Sequence, residues 1–238
     1  MKNFKNIILR LIFFSLLLLA GAVNAKDMPD TLEQRVMACT ACHGLEGRAN
    51  TGDYYPRIAG KPEGYLFNQL KNFRDGKRTY PLMSYMVANL SDDYLKEIAH
   101  YFSTLHPPYA ASQNAVTSTA NLQRGKQLAL TGDTKIKLPA CVACHGEKLT
   151  GVAPFIPGLL GLPRDYLVAQ LGAWQVGSRN ATKPDCMHTV AMKLSATDIG
   201  AVSTWLAAQN LPSNPLPAEK ILEPLPLNCG SVSTLNAK

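Results

Sequence analysis

Residues 39–48 read CTACHGLEGR, and residues 141–150 read CVACHGEKLT. Each opens with Cys-x-x-Cys-His. In a helix, positions i, i+3 and i+4 share one face, so Cys39, Cys42 and His43 project together, as do Cys141, Cys144 and His145. Two thiols at this spacing can form thioethers to the two vinyl groups of one haem while the adjoining imidazole ligates its iron. Cys-x-x-Cys alone also serves zinc sites and thiol oxidoreductases. The histidine directly after it, and the second copy, favour haem, because a four-cysteine zinc site leaves His43 and His145 without a role. The expectation is two covalently attached haem c groups.

The duplication extends well beyond the cysteines. YPRIAGKP (55–62) matches IPGLLGLP (156–163), with Pro56, Gly60 and Pro62 each lying 101 residues before Pro157, Gly161 and Pro163. YLFNQLKNFRDGKR (65–78) matches YLVAQLGAWQVGSR (166–179) at the same offset, and MSYMVANLS (83–91) matches MHTVAMKLS (187–195) at an offset of 104. A repeat of about 100 residues is too long for a solenoid unit and fits tandem domains.

Outward from the repeat, the first 25 residues have a basic start (Lys2, Lys5, Arg10), an apolar run from Leu11 and small residues at Val23 and Ala25. This is the pattern of a secretory signal peptide cleaved after Ala25, and the apolar run is shorter than the ~20 residues that span a bilayer. The expected organisation is a signal peptide (1–25), a first domain (26–106), a linker (107–120), a second domain (121–211) and a Pro-rich tail (212–238) lying extended over the surface. The exported protein is expected in the periplasm, peripheral to the membrane at most. The full chain of 238 residues carries 24 Lys and Arg against 17 Asp and Glu. Three of those basic residues belong to the leader, and no basic run exists, so nucleic acid is not an expected partner.

Within each half the periodicity is helical. Ser91 precedes Leu95, Ile98, Phe102 and Leu105 at three- and four-residue steps. In the second half a Ser195-x-x-Asp198 capping box precedes Ile199, Val202, Trp205 and Leu206. Residues 64–73 and 165–174 read as shorter amphipathic helices, and no stretch alternates as a strand would. The fold class is all-α, with two tandem helical domains each enclosing one haem. Domains of this size often need a large ligand to complete the core.

The sixth iron ligand must come from elsewhere. Met28, Met37, Met83, Met86, Met187, Met192, His100, His106 and His188 are the candidates. Met83 lies eight residues before Ser91, and Met187 eight before Ser195. Met86 aligns with Val190, and Met192 with Ala88. Only the Met83/Met187 column is methionine in both halves, which assigns His43 and Met83 to the first iron and His145 and Met187 to the second. His/Met ligation fills both axial positions and raises the reduction potential.

These segments, CTACHG and CVACHG, YPRIAG, YLFNQL…GKR and MSYMVANLSDDYLKEIAHYF with its second copy, resemble the dihaem cytochrome c4 family over nearly the whole mature chain. The resemblance implies two class I cytochrome c domains whose haems face each other across a pseudo-twofold interface. It also implies a periplasmic electron carrier feeding a haem–copper terminal oxidase. Arg78 and Arg179 are then candidate partners of the haem propionates, with a plain surface role as the alternative. Pro56 and Pro157 fall where the family's loops pass the haem, and their carbonyls could orient the ligand imidazoles.

Cys186 and Cys229 fit no haem motif. In an oxidising compartment two leftover cysteines most simply pair, tying the tail back over the Met187 loop. Ligation of the second iron by a Cys186 thiolate is the alternative. The expected function is one-electron carriage per haem, from a quinol-oxidising complex or dehydrogenase to a terminal oxidase, with no substrate site of its own. Two alternatives remain: an electron-transfer subunit of a periplasmic alcohol or sulfide dehydrogenase, and a dihaem peroxidase or thiosulfate-oxidising enzyme.

Overall fold

The computed structural model describes residues 29–50, 54–112, 117–221 and 223–235. The segment expected to be a signal peptide (1–25) and Met28 lie outside them. Among the described residues, ten α-helices and one small sheet fall into two halves of like plan. The first half holds α1 (Leu32–Arg35), α2 (Met37–His43), α3 (Glu63–Arg74), α4 (Pro81–Val87) and α5 (Asp92–Thr104). The second holds α6 (Thr119–Leu130), α7 (Val142–His145), α8 (Arg164–Gln175), α9 (Cys186–Ala191) and α10 (Ala196–Ala207).

Local sequence explains the helix starts. The Ser91 hydroxyl accepts from Tyr94 N, Asp92 and Asp93 occupy the first turn, and Leu95, Ile98, Ala99 and Phe102 form the buried stripe of α5. At α10 the Ser195–Asp198 capping box is complete. Asp198 also accepts from Arg124 on α6 at 2.7 Å, and Arg124 reaches Asp133 at 2.7 Å. Both carboxyls are held below their ordinary range. For Asp133 the hydrogen bond from Arg124 is the leading cause, and for Asp198 the bonds from Arg124 and Ser195 outweigh burial.

Unlike α5, α10 is buried on several faces, Ala201, Ser203, Thr204 and Ala207 included, because it packs on both α6 and α8. Its crossing with α6 depends on Gly125. A Cβ there would run into the Ala201 carbonyl and lie 2.8 Å from Trp205 Cβ. Gly125→Ala is therefore expected to destabilise the second half by about 1–3 kcal/mol through overpacking, read as a lowered thermal midpoint.

Three features depart from the sequence reading. A two-stranded antiparallel sheet pairs β1 (Gly151–Val152) with β2 (Ile156–Pro157); strands of two residues carry no alternation to detect. The linker is anchored. Arg57, buried, donates to Ala59 O, Pro107 O and Pro108 O and stacks on Tyr109 at 3.7 Å. Helix α6, capped by Ser118, begins inside the segment expected to be linker.

The tail does not merely lie along the surface. Ala218 exchanges backbone hydrogen bonds with Gly151 and Ala153 at 2.9 and 2.8 Å. Cys229 and Val232 are buried with Val152 and Ile156, backed by Ile221, Leu225 and Leu227. The prolines suit the expected extended surface segment, but Ile221, Leu225 and Leu227 among them supply apolar contact with the second half.

Candidate haem sites

Cys39, Cys42 and His43 lie on α2, and Cys144 and His145 on α7 with Cys141 as its N-cap in helical conformation. Each cluster thus sits on one helical face. Each helix stops at the next residue, Gly44 (φ +74°) or Gly146 (φ +83°), a left-handed conformation that favours glycine. A Cβ at Gly44 would come within 2.8 Å of the Ala49 carbonyl, so the turn that follows the histidine requires this residue.

Both imidazoles are buried. His43 Nδ1 donates to the Pro56 carbonyl at 2.8 Å, and His145 Nδ1 donates to the Pro157 carbonyl at 2.8 Å. With Nδ1 committed, Nε2 is the nitrogen left for a metal, and the ring's orientation is set. Burial holds both imidazoles below their ordinary pKa, in the neutral form that ligation needs. Burial also pushes the Cys141 thiol up to about 12 and raises Cys39 and Cys144. These are not the exposed, acidified thiols of a redox cysteine pair. Among the described residues no three His, Cys, Asp or Glu side chains converge as a metal cage, so the four-cysteine zinc alternative has no geometry to support it.

The clusters face a largely apolar cavity of about 790 Å³ that runs through both halves. Met83 on α4 and Met187 on α9, both partly buried, line it. Met86 also lines it and is 38% exposed. Met37 and Met192 are exposed and line no part of it. His100 is exposed and bonded to Glu63 at 2.9 Å, His106 is exposed, and His188 Nδ1 turns to the Trp174 carbonyl. Of the candidate sixth ligands among the described residues, the cavity therefore brings in Met83, Met86 and Met187, and only the Met83/Met187 pair recurs in both halves. Cys186 is joined to Cys229 in a disulfide, so its sulfur is already engaged.

Arg78 and Arg179 are both buried and meet at the centre of the interface, where the chain segments form an antiparallel bridge. Thr79 N donates to Ser178 O and Asn180 N to Lys77 O, each at 2.7 Å. The side chains repeat the same symmetry. Arg78 donates to Gln69, Gln170 and Tyr166, while Arg179 donates to Gln170, Gln69 and Tyr65. Arg78 stacks on Phe73 at 4.4 Å and Arg179 on Trp174 at 3.9 Å. These partners were visible in sequence only as shared letters of the repeat, Tyr65/Tyr166 and Gln69/Gln170. That they cross from one half to the other was not.

Among the described residues neither guanidinium meets a carboxylate. A buried cation without a counter-charge is costly, and both line the cavity. The donor set therefore fits haem c: paired thiols for its vinyl groups, an oriented imidazole, apolar walls for the macrocycle and buried cations suited to its carboxylates.

No family model matches the chain. The thiosulfate dehydrogenase electron acceptor of Thiomonas intermedia (strain K12) is 41% identical over 174 residues, covering 73% of this chain and 79% of that protein. Cytochrome c4 of Pseudomonas aeruginosa is 33% identical over 191 residues, covering 79% of this chain and 92% of that protein. The crystal structure of reduced recombinant cytochrome c4 from Pseudomonas stutzeri matches with a TM-score of 0.64 at 30% identity, over 75% of this chain and 96% of that one. With that sequence and fold shared over most of both proteins, and with a Cys-x-x-Cys-His cluster in each half, the chain belongs to the dihaem cytochrome c4 family of electron-transfer proteins.

Proposed function

We propose that the chain binds two haem c groups and carries one electron on each. Cys39 and Cys42 would attach the first, ligated by His43 and Met83, and Cys141 and Cys144 the second, ligated by His145 and Met187. The observation that carries this reading is the paired geometry of an Nδ1-anchored imidazole and a cavity-lining thioether in both halves. When bound, haem c supplies a one-electron couple. The chain holds the imidazole tautomer, excludes water with apolar walls, and supplies Arg78 and Arg179 as counter-charges for carboxylates. Held between the His43 or His145 imidazole and the Met83 or Met187 thioether, each haem would keep no open site for a substrate, and the chain's own residues would tune potential and docking rather than make or break bonds.

For the donor we favour a periplasmic dehydrogenase acting on an inorganic sulfur compound, since a relative at 41% identity is named as the electron acceptor of thiosulfate dehydrogenase. A haem–copper terminal oxidase is the proposed acceptor, and a quinol-oxidising complex the alternative donor. The exposed Leu82, Tyr85 and Met86 of α4 surround Met83 with an apolar rim suited to brief docking of a redox partner. Among the described residues no helix is long and apolar enough to cross a membrane.

The oxidised protein should show the Met-to-iron charge-transfer band at the intensity of two haems, and the native ferrous protein should not bind carbon monoxide. Half intensity, or ready carbon monoxide binding, would move one centre to a substrate-binding role. Rapid mixing with thiosulfate dehydrogenase and thiosulfate should reduce both centres; failure there, with reduction by a quinol-oxidising complex, would exchange the donors.

A further inference from the structure

Lys61 belongs to the first half, yet its head group is spent on the second. The side chain is 6% exposed, and Nζ donates 2.9 Å to the carbonyl of Gly158 across the interface. No carboxylate among the described residues pairs with it. The charged neighbour that acts on it is Arg57, a like charge. A buried ammonium with one neutral acceptor lacks the compensation such groups normally have. Burial, with Arg57 second, lowers its pKa to about 7.

Its position departs from the repeated plan. The residue at the same offset in the second half is Leu162, also buried, so the fold accepts an apolar side chain there and does not need the lysine. Gly158 directly follows Pro157, whose carbonyl receives the His145 Nδ1 proton. Lys61 also lines the shared cavity, and its charge is felt at the His145 ring, where it adds to the dominant effect of burial. At His43 the corresponding influence comes from Arg78, within the symmetric network.

We propose that Lys61 is a tuning residue lent by the first half to the second haem site, where its buried ammonium favours the reduced state of that centre and not of the other. The physical basis is Coulombic. A positive charge held in a poorly solvated site favours addition of an electron nearby, and screening there is weak. The consequence is that the second centre reaches its working potential only when the two halves are docked. This inference rests on the two-haem reading above.

The test uses the full chain with both haems attached, at pH 6, where the ammonium form of Lys61 prevails. Film voltammetry resolves the two one-electron couples, and Met187→His, which alters only the second centre's ligand, assigns them. Lys61→Met should make the electron's preference for the second centre over the first about tenfold weaker, which is 59 mV for a one-electron couple, with the first couple unmoved. Lys61→Gln keeps a donor for Gly158 without the charge and should shift the second couple equally. Both variants should fold, given Leu162 in the equivalent position.

The proposal is overturned if neither couple moves, if both move together, or if the first alone moves. A shift in Lys61→Met with none in Lys61→Gln also overturns it, since the hydrogen bond would then be the cause. A single one-electron couple in the unaltered protein would instead sink the two-haem reading, and this proposal with it, before any variant is compared.

Discussion

Met83→Ala and Met187→Ala should each remove half of the Met-to-iron charge-transfer absorption of the oxidised protein. Each should also lower one reduction potential by on the order of 0.1 V or more, within the ~0.8 V range that axial ligands command. The direction follows from the ligand: a thioether favours the reduced metal, and water or nothing in its place does not. The attribution to these two methionines rests on position. Met83 on α4 and Met187 on α9 both line the cavity that His43 and His145 line, one methionine and one histidine from each half.

Controls lie close by in sequence. Met86→Ala, one turn further along α4 at an exposed position, should leave both potentials and the full band in place. So should Met192→Ala, whose side chain is exposed. Each ligand variant should also acquire carbon monoxide binding at one centre in the ferrous state, since an axial position has been opened. A protein in which Met86→Ala removes the band and Met83→Ala does not would show that the repeat's alignment misassigns the first ligand.

That alignment was legible because the relevant contacts are local. Cys39, Cys42 and His43 are brought together by one turn of helix, and Ser91 and Ser195 mark helix starts wherever the rest of the chain lies. The Pro56/His43 and Pro157/His145 pairings bridge only 13 and 12 residues, and the repeat displayed both at once. The cross-interface contacts had no such marker. Lys61 meets Gly158 across 97 residues and Arg78 meets Gln170 across 92, and no periodicity encodes which half a polar head group will serve. The same holds for the tail. Leu225 stands between two prolines and Leu227 directly follows the second. Prolines argue against a paired strand or a helix, and only the surface these leucines cover reveals their apolar contact.

That coverage makes the disulfide the second large effect. Cys186→Ser with Cys229→Ser opens a crosslink spanning 43 residues. By the chain-entropy argument it removes about 4 kcal/mol from the second half. For a domain of this size the thermal midpoint should fall by more than about 10 °C. The double substitution avoids leaving one thiol free to mispair. The tail's remaining hold would include the Ala218 hydrogen bonds, the bond from Gly230 N to Pro184 O, and the contacts of Ile221, Leu225, Leu227 and Val232.

Limited proteolysis should then cut between residues 212 and 228, where the unaltered protein resists. Leu225, Leu227 and Val232 line the cavity on the Met187 side, so their withdrawal admits water to the second centre. Solvent exposure favours the more highly charged oxidised state. The second potential should therefore drop while the first holds its value, since the described tail packs on Val152, Ile156 and Cys186 of the second half. A double variant that keeps its melting temperature and its protease resistance would mean that the leucine contacts alone secure the tail. The disulfide would then serve some end other than closing this wall.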